Sequence, residues 1–525
     1  AKPVVTVDDA GSPRPPRRIS IVAPSAPDGR RTAPVTETIR CVTDLGLADR
    51  RVIAFCASRS LTERVAAGVA RALPAERRGE VQPYRSGYLA AERRQVEDDL
   101  AEGRIRAVVT TSALELGVDI GGLDAAVLCG FPGTIASFWQ QVGRAGRGDR
   151  AATAVLVAGD DQLDQWFVKH PEDLFERPAE PAVVNLSNPH VLDPHLSCAA
   201  FETPLSPLDE AWWPDLDDGV RRAVLADDLR IRPAVGGRGP HAIWSGRGLP
   251  SNRIGLRSVG GGEVRIVDEA GSSIGSVERS RAAVKVHPGA VSLHRGQAWR
   301  VNDHDLDTGT AVVAEDDGQT WTQARREIGL DVLASGPERT VGRARLFRGE
   351  VRVTTQVVGY TTHRLGSSGS AGSVEALDLP PDELDTTAIW YQWEPETIAA
   401  AGIADFRLPG ALHAAEHAAI GILPLFAICD RSDVGGVSIA AADHSGLPTV
   451  FIHDGYPGGA GMADLAFEAA QMHLAATLDV LTQCDCTQGC PSCVQSPKCG
   501  NGNEPLDKAA ATALLATTLG TGEAF

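Results

Sequence analysis

Between residues 38 and 175 short apolar runs recur with helical text between them, and no other feature constrains the fold as much. Arg51–Cys56 (RVIAFC), Ala107–Thr111 (AVVTT), Ala125–Cys129 (AAVLC) and Ala154–Ala158 (AVLVA) are continuous rather than alternating. That is the pattern of strands covered on both faces. Leu61–Leu73 has helical spacing, and further helical stretches separate the other runs. Strands alternating with helices predict a parallel sheet, so an α/β lobe is expected over 39–176.

The text on either side differs. Residues 1–38 are rich in Pro, Arg and Asp around one strand-like run, Ile19–Ala23, and are expected to be a linker from a first lobe that this chain lacks. Pro-rich text returns at Arg177–Pro207, and 177–250 is expected to hold a linker and a winged helix. Short alternating runs such as Glu263–Asp268 predict a β-rich segment over 251–378. Residues 379–525 become Ala-rich and are expected to form a mainly helical zinc-binding domain, broken by the strand-like Thr449–His453. Hydrophobic residues make up 43% and charged residues 22% of the 525, which excludes wholesale disorder. No stretch is apolar enough to cross a bilayer, and the first residues have no apolar signal core, so a cytoplasmic, membrane-free protein is expected. The net charge of −18 argues weakly against a nucleic-acid partner. Of the 50 basic residues only Lys2, Lys169, Lys285, Lys498 and Lys508 are lysines. The rest are Arg, the better fork for phosphate.

Chemistry-bearing residues sit where the strands end. Gln140-Gln141-Val142-Gly143-Arg144-Ala145-Gly146-Arg147 sets two Arg three residues apart among glycines, which suits a triphosphate. Thr110-Thr111-Ser112-Ala113-Leu114-Glu115-Leu116-Gly117-Val118-Asp119 closes the second run with hydroxyls and places an Asp after Gly-Val. Loops after strand C-termini face ligands in open α/β sheets. Ser58, Arg59 and Ser60 end the first run at a helix start, a ready anion site. Tyr84-Arg85-Ser86-Gly87 precedes a helix that begins near Ala90. Asp209-Glu210-Ala211-Trp212 imitates a magnesium-binding acidic box but follows Ser206-Pro207, so a turn and helix cap are predicted there.

These strings, in this order, resemble motifs IV, V and VI of the second RecA-like lobe of superfamily-2 helicases. The resemblance implies that Arg147 is an arginine finger, that Arg144 lies beside it on the phosphates, and that Gln140 joins this catalytic set. It implies that Asp119 meets the ribose, with Gly117 and Gly143 beside the nucleotide. It assigns Ser58, Arg59, Ser60, Arg85, Thr110 and Thr111 to the nucleic-acid backbone. No Gly-x4-Gly-Lys-Ser/Thr string occurs, so the chain carries half of an ATPase site and is not expected to hydrolyse ATP alone. ATP and Mg(II) would bind with the missing lobe.

Five cysteines fall within sixteen residues: Cys484, Cys486, Cys490, Cys493 and Cys499. Cys490-x-x-Cys493 is a metal knuckle, and a closed four-cysteine Zn(II) site of structural role is predicted. An iron–sulfur cluster also uses four thiolates. The set Cys486, Cys490, Cys493 and Cys499 is favoured, with Cys484 able to replace Cys486, since a C-x-C pair strains to hold one ion. Together with Ala411–His417, His453–Gly461 and Asn503–Lys508, the cluster looks like the C-terminal domain of the bacterial mitomycin-repair helicases, relatives of the fungal and plant RecQ-four-like enzymes. That resemblance implies a monomeric 3′-to-5′ ATP-dependent DNA translocase in repair, working on single-stranded or tailed duplex DNA. Two rivals stand beside it. His413, Glu416 and His417 have the inverted zinc-peptidase spacing, so a zinc metallohydrolase is a second reading. A non-catalytic DNA-binding scaffold is the third.

Overall fold

The computed structural model describes residues 16–24, 32–84, 90–116, 122–146, 151–180, 183–234, 239–254, 262–294, 297–305, 308–364, 372, 374–430 and 433–521. The chain folds as two compact units.

The first unit comprises Ala1–Pro181 with Gly421–Arg431 and Cys490–Cys493. Its strands are β1 (Arg17–Val22), β2 (Val52–Cys56), β3 (Val81–Tyr84), β4 (Ala107–Thr110), β5 (Ala125–Cys129) and β6 (Ala152–Val157). All pair in parallel, in the order β1-β6-β5-β2-β4-β3. Between and after them run α1 (Pro34–Leu47), α2 (Arg59–Ala72), α3 (Ala90–Ala101), α4 (Ile135–Val142), α5 (Gln162–Lys169) and α6 (Pro171–Glu176). Every residue of β2, β4 and β5 is buried, the reason these runs are apolar without alternation. Val42 of α1 and Val65 and Val69 of α2 close over Val52, Val109 and Val127. Each such valine contributes roughly 1.5–3 kcal/mol by leaving water.

The sequence reading of 1–38 as linker needs correction. Arg17–Val22 is the edge strand of the sheet, in register with Ala152–Val157, and α1 begins at Pro34.

The second unit comprises Ala182–Ile420, Ser432–Gly489 and Val494–Phe525. It opens with α7 (Pro189–Glu202), α8 (Leu216–Leu225) and the hairpin β7 (Leu229–Arg232) and β8 (His241–Trp244). Leu192, Leu196, Leu216, Leu229 and Ala242 form their shared core, a winged-helix arrangement. Before α8, Ser206 and Asp209 form a capping box, as the turn reading of that acidic string requires. A five-stranded sheet follows, built from β9 (Glu263–Asp268), β10 (Ser273–Glu278), β11 (Val291–His294), β12 (Gln297–Asp305) and β13 (Thr310–Asp316), with α9 (Arg279–Lys285) after β10.

The last sheet joins the long hairpin β14 (Thr320–Val341) and β15 (Ala344–Arg364) to β16 (Val374–Ala376), β17 (Asp382–Trp393), β18 (Val434–Ile439) and β19 (Thr449–Asp454). The helices α10 (Pro395–Ala400), α11 (Leu408–Ile422), α12 (Met462–Gln483) and α13 (Lys508–Leu519) complete the unit. A domain boundary at 378/379 does not hold. β15 pairs with β17 from Ala344↔Trp393 to Thr355↔Asp382, so one sheet runs through both expected segments. Among the described residues no helix is long and apolar enough to cross a membrane.

Candidate functional site

The sheet order brings the hydroxyl-bearing loops side by side. β2 and β4 are parallel neighbours with Phe55 opposite Thr110, so Ser58 and Thr111 lie just past the C-terminal ends of adjacent strands. Ser58 caps α2, its hydroxyl accepting from Leu61 N at 3.2 Å, and Ser60 Oγ stands 3.3 Å from Ser58 Oγ. Both serines are exposed. Thr111 caps the short turn Ser112–Leu114 and accepts from Ala113 N at 3.4 Å. Thr110 is fully buried and donates to Thr111 O at 3.0 Å, so it shapes the turn.

Across that turn lies α4, whose last residues are Gln140, Gln141 and Val142. Thr134 caps it, accepting from Ser137 N at 3.0 Å. The Glu180 carboxylate accepts from Ile135 N and Ala136 N, a favourable charge at a helix N-terminus. Gly143 ends the helix, where a Cβ would stand 2.9 Å from Trp139 O, so no larger residue fits without movement. Gln140 is exposed.

Glu115 ties the two motifs together, and sequence reasoning missed it. Its carboxylate accepts from Ser137 Oγ at 2.8 Å and from Gln141 Nε2 at 2.9 Å. Its carbonyl accepts from both Nε, at 3.0 Å, and Nη2 of Arg144. Arg144 is 8% exposed, and burial pulls its pKa down while the Glu115 charge opposes. In this structure the Arg144 guanidinium lies against the Glu115 carbonyl and holds the Thr111–Leu116 turn to the end of α4. A lone Glu inside a strand-end loop was the available signal. Arg85, Gly117, Asp119 and Arg147, and the side chain of Arg59, lie outside the described residues.

Asp164, 2% exposed, is a second residue without a sequence signal. It accepts from Phe131 N at 2.9 Å and from Gly159 N, fixing the loops that leave β5 and β6.

The cysteine loop forms two groups. Cys484, Cys486, Cys490 and Cys493 bring their sulfurs within 4.8 Å of one another. Sγ–Sγ distances are 3.6 Å for Cys484–Cys486 and 3.8 Å for Cys490–Cys493. A tetrahedral ion with ~2.3 Å bonds to sulfur needs edges of about 3.8 Å, so the set fits Zn(II). Cys490 N also donates to Cys493 Sγ at 3.3 Å. The buried Lys508 ammonium donates to Cys484 O, to Cys486 O at 2.7 Å and to Cys486 Sγ at 3.6 Å. Four thiolates on a divalent ion leave two negative charges, which this ammonium partly offsets. A compact ammonium suits three converging acceptors better than a planar fork, which accounts for a lysine in so Arg-rich a chain.

Two expectations change here. Cys499 is not in this group, and Cys484 takes its place, the C-x-C pair closing without difficulty. Cys499 lies with His413 and His417. Glu416 does not complete a peptidase-like trio: its carboxyl is packed against Gly436 and near Ser438 of β18, and burial pushes it up to about 7.

Three family models match the chain: the helicase conserved C-terminal domain at residues 37–149, the winged helix domain of the ATP-dependent helicase HRQ1 at 184–259, and the MrfA Zn-binding domain at 415–494. The uncharacterized ATP-dependent helicase YprA of Bacillus subtilis is 33% identical over 94% of this chain and 66% of its own length. The ATP-dependent helicase HRQ1 of Saccharomyces cerevisiae is 28% identical over 93% of this chain and 47% of its own length. The chain thus spans just under two thirds of the first and about half of the second. The crystal structure of the DUF1998 helicase MrfA bound to DNA superposes with a TM-score of 0.64 at 31% identity, over 95% of this chain and 66% of that one. The chain is therefore a homologue of the MrfA, YprA and HRQ1 helicases, built from a helicase C-terminal lobe, a winged helix, a β-rich region and an MrfA-type Zn-binding domain.

Proposed function

We propose that this chain is the C-terminal portion of an ATP-dependent 3′-to-5′ DNA helicase or translocase that acts in repair. The observation that carries the reading is the placement of Ser58, Ser60 and Thr111 at the ends of adjacent parallel strands, with the Gln140–Arg147 string tied to the same turn through Glu115. Hydroxyls at that rim can hold a phosphate backbone without reading bases. MrfA has been solved with DNA, and with DNA and AMPPNP, which supports the same ligands here.

In this reading Arg147 reaches a nucleotide seated on a second lobe that supplies the Lys-bearing phosphate loop absent from this sequence. Gln140, exposed on α4, faces that nucleotide too, and Gly117, Gly143 and Asp119 serve the same nucleotide. Arg144 acts one step back, keeping the Thr111 turn and α4 in one piece so that closure on ATP moves the strand grip. Arg59 and Arg85 add phosphate contacts. The four-cysteine zinc site is structural, since all four positions are filled by the chain. Without the partner lobe the chain binds DNA but does not turn over ATP.

The test is a protein in which the complementary lobe of a YprA-type helicase precedes this chain. DNA-stimulated ATP hydrolysis is expected, and Arg147→Ala is expected to lower turnover by roughly a thousandfold, the scale of an arginine finger. Unchanged turnover in that variant refutes the assignment.

A further inference from the structure

A second metal-capable group, His413, His417 and Cys499, shares no residue with the four-cysteine group. His413 and His417 lie one turn apart on α11 and point to the same side, with ring centroids 4.3 Å apart. His413 Nδ1 donates to Pro505 O at 2.9 Å, and His417 Nδ1 donates to Val494 O at 2.8 Å. A carbonyl only accepts, so both rings carry their proton on Nδ1 and present the Nε2 lone pair. That is how ligating histidines are held, the far nitrogen fixing tautomer and ring plane. Both lone pairs meet Cys499: His413 Nε2 is 3.5 Å from Sγ, and the three donor atoms lie within 4.8 Å of one another.

The thiol is built in with equal care. Asn503 N donates to Cys499 Sγ at 3.2 Å, as to a thiolate. The Asn503 side chain closes the loop on itself, accepting from Ser496 N at 2.8 Å and donating to Ser496 O at 3.1 Å. Asn503 has φ 67°, a left-handed conformation that asparagine tolerates. Arg326 Nη2 donates to Lys498 O at 2.8 Å and ties the loop to β14. His413 and His417 are buried, and Cys499 is half-buried.

We propose that His413, His417 and Cys499 bind a second Zn(II), which staples the loop 494–505 to α11. Two imidazoles and a thiolate suit a borderline-soft tetrahedral ion, and the fourth position is left to water. The family model for the Zn-binding domain ends at 494, so Cys499 lies beyond it.

Metal content of the purified 525-residue chain, counted by mass spectrometry of the elements, is the test. Two zinc ions per chain are expected. His417→Gln and Cys499→Ser should each retain one, and Cys490→Ser should retain the ion of the histidine site. One ion in the unaltered chain, or two ions in both His417→Gln and Cys499→Ser, overturns the proposal. Should a variant fail to fold, metal-free unaltered chain titrated with Co(II) decides. Two stoichiometric steps are expected, one with the charge-transfer absorption of a single thiolate and one with that of four. A single four-thiolate step overturns the proposal.

Discussion

At the scale of single residues, Asp507 shows how one carboxylate serves two partners. Its Oδ1 accepts from Ala510 N at 2.9 Å and caps α13, and both oxygens take the Arg407 guanidinium, at 2.7 and 2.9 Å. Although partial burial opposes ionisation, the hydrogen bond from Arg407 and the cap amides hold this carboxyl below the usual Asp range. Because the folded pKa lies below the unfolded one, the stabilisation is present above about pH 4 and is lost as pH falls through the folded value. Asp507→Asn keeps a capping oxygen but loses the ion pair. It is expected to cost about 1 kcal/mol or less at pH 7, since Arg407 is partly exposed. The gap to the unaltered protein should narrow as pH falls below about 4 in urea unfolding followed over a pH series; a gap that does not narrow would refute the account. Glu115 and Asp164 belong to the same scale. Neither carries a sequence signal beyond its place, Glu115 in a loop and Asp164 in the first turn of α5, because what matters about them is a partner 22 to 33 residues away.

At the scale of elements, the junction of β19 and α12 depends on one buried acid. Asp454 ends β19, and its carboxylate accepts from the amides of Ala460, Gly461, Met462 and Ala463 at 2.7 to 3.2 Å. These are orphan donors at the start of a 22-residue helix. The glycine run between them has a steric cause. Gly459, at φ 74°, would put a Cβ 2.0 Å from Thr387 Oγ1. Asn188, the cap of α7, donates to Pro457 O and Gly459 O, both at 2.8 Å, and so reads the same loop. Asp454→Ala strands several buried amides and is expected to cost about 3 kcal/mol or more. Hydrogen exchange of the 460–463 amides should rise by over a hundredfold, and unchanged protection would count against the role.

Elements also mark what could be read in advance. β2, β4 and β5 were legible because burial on both faces leaves only apolar text. β1 was only partly legible: Ile19–Ala23 reads as strand-like, but an edge strand carrying Arg17, Arg18 and Ser20 does not announce the sheet it joins. The pairing of β15 with β17 was hidden because alternation fixes a face, not a partner. The cysteines followed the same rule: their spacing announced a metal, but only the folded loop assigns Cys484 to one group and Cys499 to another.

At the scale of the whole molecule, charge sets the terms on which DNA can bind. A total of −18 repels a phosphate backbone at long range, so binding has to come from arginines brought close to it. Such contacts release counterions, and affinity then falls linearly with salt on logarithmic axes. If the chain engages about five phosphates, affinity for single-stranded DNA should drop by roughly a hundredfold or more between 50 and 200 mM salt. The total charge adds to this, because at low ionic strength the general repulsion works against the local attraction and flattens the upper end of the curve. A curved plot, steeper at high salt and shallower at low salt, is thus expected for this chain, where a uniformly basic protein gives a straight line. Fluorescence anisotropy over a salt series measures it. A flat response would mean that few phosphates are engaged, and the strand-gripping role of Ser58, Ser60 and Thr111 would fall with it.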